Sequence, residues 1–372
     1  MLDVNHSQPL AVAWLVFTLC PVQGRPNDGC KMATIDEIAR LAQVSPATVS
    51  KVLNNRRYVS TLTRARVERV IAETGFVPSQ RARGLSQRRS FILGLLIPYT
   101  SDQLFADPHL LEIMRGIEAE ANTHEYNLLL STARAHVEAA SAFTRLLRSD
   151  AIDGAIIVET LDVQPFAEAL AQQPSPWVVV GYTSHSDIPA VHADDFGGAF
   201  AAAEHLLALG HRRIGVISSS PRPYALEERL RGVRAALAAA GLCLDDALLA
   251  TGDFSPESGA AGAHALLALP DPPSAIFALN DRMALGVVRA ALERGLSVPN
   301  DLSVVGFDDI ALATLLNPQL TTVRQPGYSL GGAAATALFG LLAGAVSSAP
   351  ATLPTELIVR GTTGAPRILE RG

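Results

Sequence analysis

Short polar side chains stand directly after apolar runs at several places in this 372-residue chain: Tyr99, Ser131–Thr132, Ser218–Ser220, Asn280–Asp281 and Asp308–Asp309. The runs are rich in Val, Ile and Leu: FILGLLIP at 91–98, NLLLST at 127–132, RIGVIS at 213–218, SAIFAL at 274–279 and LSVVGF at 302–307. If such runs are parallel strands, ligands bind beyond their carboxyl ends, and these residues become candidate contacts. Hydroxyls, amides and carboxylates gathered there suit a polyhydroxylated ligand. Taken singly, each reads first as a turn residue or a helix cap. Their recurrence at strand ends carries the binding reading.

A second chemical signal lies near the start, in TIDEIARLAQVSPATVSKVLNN from Thr34 to Asn55. Thr34 and Glu37 have capping-box spacing, so each side chain can satisfy a free backbone N–H at a helix start. Ser45 is a second N-cap, with Pro46 at the first helical position, where its missing N–H is no loss. Ser60 opens a third helix that Gly75 ends. Two short helices joined by a tight turn and buttressed by a third form a DNA-reading unit whose second helix enters the major groove. Its outward residues are Pro46, Ala47, Thr48, Ser50, Lys51 and Asn54. Thr48 and Ser50 can bond phosphates, Lys51 can donate to guanine, and Ala47 can touch a thymine methyl.

Charge supports that reading only when divided along the chain. The total is −6, with a pI near 5.9. Residues 33–90 nevertheless hold eleven Lys/Arg against four acids, a net of +7, while residues 91–372 carry −13. The pattern is a phosphate-facing module on an acidic body. Three cysteines (Cys20, Cys30, Cys243) without a CxxC pair suggest neither a disulfide framework nor a zinc site, and fit a reducing compartment. No cofactor or metal is expected. The chain has no P-loop, GxSxG elbow, HExxH or GxGxxG after the first strand, so catalysis is not expected either.

From Phe91 onward the runs above, with GAIIV (154–158) and WVVVG (177–181), alternate with helical segments at 110–124, 195–209, 227–240 and 281–294. Continuous apolar strands separated by helices mean parallel sheets covered on both faces. About 280 residues suit two Rossmann-like lobes better than one. The fold expected is therefore an N-terminal all-α helix-turn-helix domain followed by an α/β two-lobed body. Trp177 could stack on a sugar, but at the start of a strand it reads first as core.

Residues 33–90 resemble the DNA-binding segment of the lactose/galactose-repressor (LacI/GalR) family, with the signature T-I-x-D/E-I-A-x-x-A-x-V-S-x-x-T-V-S-R/K-V-L-N matched from Thr34 to Asn54. Lys51 stands where many members carry Arg, which removes a bidentate fork. GHRRIGVIS (210–218), RLRG (229–232), ALNDRMALG (278–286), LSVVGFDD (302–309) and LTTVRQP (320–326) are similar to the family's recurrent blocks. The resemblance implies a periplasmic-binding-protein-like body, a homodimer, a palindromic double-stranded DNA operator and a small, sugar-like effector. It also implies a repressor at work in the cytoplasm on the nucleoid, without a membrane partner. Thr34, Ser45 and Tyr58 join the DNA-facing set. In the basic stretch SQRARGLSQRRS, Leu85 matches a leucine that wedges a minor-groove base step, with Arg81 and Arg83 neutralising phosphates. In the body, Arg229, Asn280, Asp308, Gln325 and Asp194 match residues at the effector cleft. Phe105 and His109 lie in the loop TSDQLFADPH, which helps set ligand choice and departs here from the commoner N-P-F/Y-F form. A buried arginine needs partners, and bidentate bonding of Arg229 to ligand oxygens would supply them.

The boundaries expected are 1–31 as a disordered or upstream-assigned start, 32–77 as the helix-turn-helix, 78–90 as the hinge and 91–372 as the body. Within the body, lobe 1 covers about 91–209 and 326–350, and lobe 2 about 210–325 and 351–372. Two other readings stay open. An exported solute-binding protein would share the two-lobed body, but the apolar run Leu10–Cys20 follows no basic residue, and residues 33–86 would have no use. An α/β enzyme acting on sugars or nucleosides is the more remote rival.

Overall fold

The computed structural model describes residues 33–53, 58–76, 89–132, 151–158, 175–183, 188–220, 223–345 and 351–367. The chain divides into two compact units, Met1–Ser79 and Gln80–Gly372.

The first unit holds three helices, α1 (Ile35–Leu41), α2 (Pro46–Leu53) and α3 (Thr61–Thr74). Each start is fixed locally. The Thr34 hydroxyl accepts from Glu37 N at 3.3 Å, Ser45 from Thr48 N at 3.2 Å and Ser60 from Thr63 N at 3.3 Å. The return arm of the expected capping box is absent among the described residues; the Glu37 carboxylate stands 3.9 Å from Arg40 instead. Gly75 takes the left-handed conformation (φ +62°) that closes α3. Ile38, Ala39, Val49, Val52, Val67 and Val70 form the small core.

The second unit begins with β1 (Ile92–Ile97), α4 (Ser101–Ala106), α5 (Pro108–Thr123), β2 (Asn127–Thr132), β3 (Gly154–Val158), β4 (Trp177–Val180) and β5 (Ala190–Ala193). The chain then crosses to a second lobe: α6 (Asp195–Ala208), β6 (Ile214–Ser219), α7 (Tyr224–Ala239), β7 (Leu249–Gly252), α8 (Pro256–Leu267), β8 (Ala275–Ala278), α9 (Asp281–Glu293), β9 (Ser303–Asp308) and β10 (Thr321–Arg324). It returns through α10 (Gly327–Leu342) and β11 (Ala351–Leu353), and crosses a third time to β12 (Glu356–Ile358). The sheet orders are β11-β5-β4-β3-β1-β2 and β12-β10-β9-β8-β6-β7. Every pairing is parallel except β12, which runs antiparallel to β10. Fully buried strands such as Gly154–Val158 explain why the sequence shows continuous apolar runs without alternation.

Two segments sit in the other lobe from the one expected. Residues 195–209 are expected in lobe 1, but α6 lies against α7, β10 and β12. Its small face (Ala199, Ala202, Ala203) shares a core with Val216 and Phe277. Residues from 351 are expected in lobe 2, but β11 pairs with β5, Ala351 beside Val191. Only the later β12 joins the second sheet.

Close helix contacts depend on glycine. A Cβ on Gly331 of α10 would fall on the Ile113 carbonyl of α5, and one on Gly116 of α5 on the Tyr328 carbonyl of α10. The colliding atoms are helix backbone, which cannot rotate away. Gly331→Ala should therefore destabilise the chain by about 1–3 kcal/mol, the usual range for overpacking. Urea unfolding measures this; an unchanged midpoint would contradict the contact.

Candidate functional site

In the helix-turn-helix unit the candidate DNA-facing surface is the start of α2. Ser45, Pro46, Ala47 and Lys51 are exposed, while Thr48 and Ser50 are half-buried. The Ser45 and Thr48 hydroxyls hydrogen-bond at 2.9 Å, so both are already oriented by the cap. Thr34 is committed to capping α1. Tyr58 is 96% exposed. Asn54, Arg81, Arg83 and Leu85 lie outside the described residues.

In the body, a cleft opens beyond the carboxyl ends of both sheets. Six of the nine expected effector contacts meet there: Tyr99 and His109 from the first lobe, Arg229, Asn280 and Asp308 from the second, and Gln325 at the second crossover. Arg229 is 5% exposed. Its Nε donates to Asp195 at 2.7 Å and its Nη1 to the Leu279 carbonyl at 2.6 Å. Nη1 also stands 3.5 Å from Asp308, and the guanidinium lies 3.8 Å over the Phe307 ring. The expectation that ligand oxygens would partner this arginine is thus corrected: protein groups already do.

Asp308 ends β9 in an unusual backbone, with φ +123°, and Asp309 follows at φ +58°. Consecutive positive φ values in residues other than glycine are strained and need outside support. Gln325 Nε2 donates to Asp308 Oδ1 at 2.7 Å. Ile310 N donates to Asp281 Oδ2 at 2.8 Å, and Asp309 is gripped by Arg360 at 2.6 Å and Arg324 at 2.8 Å. Burial outweighs the nearby Arg229 charge and pushes the Asp308 carboxyl up to about 6. Asp281, fully buried and bonded to Thr322 at 2.5 Å, is raised well above the carboxylate range by burial and by Asp308. Burial lowers His109, which favours its neutral form.

Asn280 combines both roles that the sequence left open. Its side chain caps α9, accepting from Met283 N at 2.9 Å, and it lines the cleft.

Three expected contacts stand elsewhere. Phe105 is 61% exposed on α4, and Ser131 lies on the edge strand β2. Asp194 caps α6, accepting from Gly197 N at 2.8 Å. The next residue, Asp195, is the carboxylate that faces the cleft.

Other wall residues were not among the candidates, notably Tyr182, His192, Phe254 and Arg282. Tyr182 follows WVVVG and obeys the strand-end rule. Its hydroxyl donates to Ala193 O at 2.8 Å, and its ring stacks on His192 at 4.2 Å. Phe254 has φ +70°, which no apolar pattern signals. Trp177 lies against Val179, Ile188 and Ala190, away from the cleft wall.

Comparison with known proteins agrees with both units. A model of bacterial regulatory proteins of the lacI family matches residues 34–79, and one of a periplasmic binding protein-like domain matches residues 203–363. The HTH-type transcriptional repressor CytR of Escherichia coli K12 is 36% identical over 337 residues, 90% of this chain and 97% of that protein. The structure of the lac repressor dimer bound to operator and the anti-inducer ONPF superposes with a TM-score of 0.81 at 30% identity, covering 90% of this chain and all of that one. A complex of the transcriptional regulator CelR with cellobiose gives 0.70 at 32% identity, over 89% of this chain and 99% of that one. Among the described residues, no helix is long and apolar enough to cross a membrane.

Two outcomes follow from the cleft's electrostatics. Arg229→Ala would strand the buried Asp195 carboxylate and should destabilise the chain by about 3–5 kcal/mol, as loss of one partner of a buried pair does. A chemical-denaturation midpoint that stays put would contradict that pairing. The second concerns pH. The folded Asp308 carboxyl sits near 6, above its unfolded value, so the folded state binds the extra proton as pH falls through 6. Stability from this group rises on acidification and levels off below the unfolded carboxylate range. Asp107, Asp195 and Asp281 shift in the same direction and His109 in the opposite one, so the informative quantity is wild type against Asp308→Asn. The wild-type melting temperature, relative to the variant, should climb between pH 7 and about 4.5. A constant difference would contradict the assignment.

Proposed function

The chain belongs to the lacI family of bacterial regulatory proteins, and from that premise we propose a transcriptional repressor whose operator affinity is set by a small molecule in the interlobe cleft. The observation that carries this reading is the pairing of two devices in one chain: a capped, exposed recognition helix and a cleft between two lobes whose wall carries Arg229, Asn280 and Asp308. Lys51, Ser50 and Ala47 would meet base edges and phosphates in the major groove, with Tyr58 beside them. Arg81 and Arg83 would neutralise phosphates while Leu85 wedges a central base step, at an expense of roughly a few kcal/mol in DNA deformation. A palindromic operator asks for a homodimer, and the work would be done in the cytoplasm. The cleft holds its ligand without transforming it.

The ligand is proposed to be sugar-like. The hydroxyl-matching groups Asn280, Asp308 and Gln325 support this, as does the CelR complex with cellobiose. Effector binding would change the angle between the lobes and so the spacing of the two hinges in the dimer.

Two variants separate the halves of the proposal. Leu85→Ala should weaken binding to a palindromic operator by about tenfold or more, while nonspecific DNA is held within about a factor of two. Equal losses would remove the wedge. Asp308→Asn should leave operator affinity intact and abolish its response to a compound found by thermal-shift screening of sugars, nucleosides and purines. A surviving response would displace the effector site from this cleft.

A further inference from the structure

We propose that the cleft selects an uncharged ligand rich in hydrogen-bond donors and rejects the same molecule carrying a phosphate. This rests on the cleft being the effector site and adds the charge of what it admits.

The wall carries four carboxylates, Asp107, Asp195, Asp253 and Asp308, against two guanidinium groups, Arg229 and Arg282. Asp253 is exposed, so water screens it. The three deeper carboxylates still outnumber the two cations. Nor is Arg229 available as an anion clamp. It is bonded to Asp195 and Leu279, close to Asp308 and laid flat on Phe307. A phosphate reaching it would have to displace a buried carboxylate, leaving that charge unpaired. Arg282 is half-buried, and its charge is the weakest of the influences on Asp107, whose carboxyl burial and Asp308 raise. His109 adds no compensating charge, because burial favours its neutral form.

Burial first and then the Asp308 charge raise the proton affinity of Asp107, so further negative charge is disfavoured on this side of the wall. The O–H or N–H groups of a neutral ligand would satisfy both carboxylates. A phosphate would supply more negative oxygen and force proton uptake by the wall. At about 6 Å and an effective dielectric near 20, repulsion from one uncompensated carboxylate corresponds to about a hundredfold in affinity.

The test uses the full chain at pH 7.5, with thermal shift followed by calorimetry. The probes are cellobiose, ribose with ribose 5-phosphate, glucose with glucose 6-phosphate, adenosine with adenosine 5′-monophosphate, and inorganic phosphate alone. The expectation is that at least one uncharged probe stabilises the chain. A phosphate ester should bind about a hundredfold more weakly than its parent or not at all, and inorganic phosphate at about 10 mM should leave the midpoint unmoved. An ester as tight as its parent, protection by inorganic phosphate, or a panel in which no uncharged probe binds would each overturn the proposal. Asp107→Asn removes one repelling charge, so phosphate esters and inorganic phosphate should gain up to about a hundredfold relative to uncharged probes. No relative gain overturns the charge argument even if the parent compounds bind. Operator binding, read separately by fluorescence anisotropy, distinguishes the two levels. A chain that ignores DNA but prefers uncharged probes defeats the regulatory reading alone, and a DNA-responsive chain that prefers esters defeats this one alone.

Discussion

One buried guanidinium holds the second lobe's share of the cleft together. Arg229 projects from α7 and is met by Asp195 at the start of α6, by the Leu279 carbonyl after β8, and by Phe307 and Asp308 at the end of β9. Four separate elements therefore share one charge. The planar fork suits this position because it can donate edgewise to carboxylate and carbonyl while its face rests on an aromatic ring. A lysine ammonium could not stack and donate in that way. Burying such a charge is unfavourable unless its donors are met, and the strand ends are held where they meet them.

The same economy extends to the strained turn after β9. Asp308 and Asp309 adopt positive φ only because Gln325, Asp281, Arg324 and Arg360 bind the segment from four directions. Gln325 belongs to a lobe crossover, so Asp308 on the cleft wall is tied to one of the segments that connect the lobes.

Much of this was legible in the residues because the signals are local. Thr34, Ser45, Ser60 and Gly75 mark helix ends through bonds spanning three or four positions, and long Val/Ile/Leu runs announce buried strands without reference to anything distant. The strands that escaped notice, such as Ala190–Ala193 and Glu356–Ile358, are three or four residues long and owe their pairing to partners far along the chain. Asp194 and Asp195 show the limit most clearly. One caps and the other faces the cleft, and only the winding of the helix decides which. The partners of Arg229 lie 34 and 50 positions away, so no spacing rule could exchange the expected ligand oxygens for them.

The triple crossing between lobes also bears on the order in which the protein is made. The second lobe's sheet draws five consecutive strands from one stretch, β6 to β10, and lacks only its short β12 edge when residue 325 has been synthesised. The first lobe begins earlier yet cannot finish. Its covering helix α10 lies more than two hundred residues after α5, and its edge strand β11 comes some 160 residues after β5. A ribosome releasing this chain vectorially therefore presents an open-sided first sheet, with β5 unpaired on one edge, while some 160 further residues are added. The first lobe's sheet is begun before the second's yet keeps an exposed edge until after β6 to β10 are made, and such edges invite mispairing.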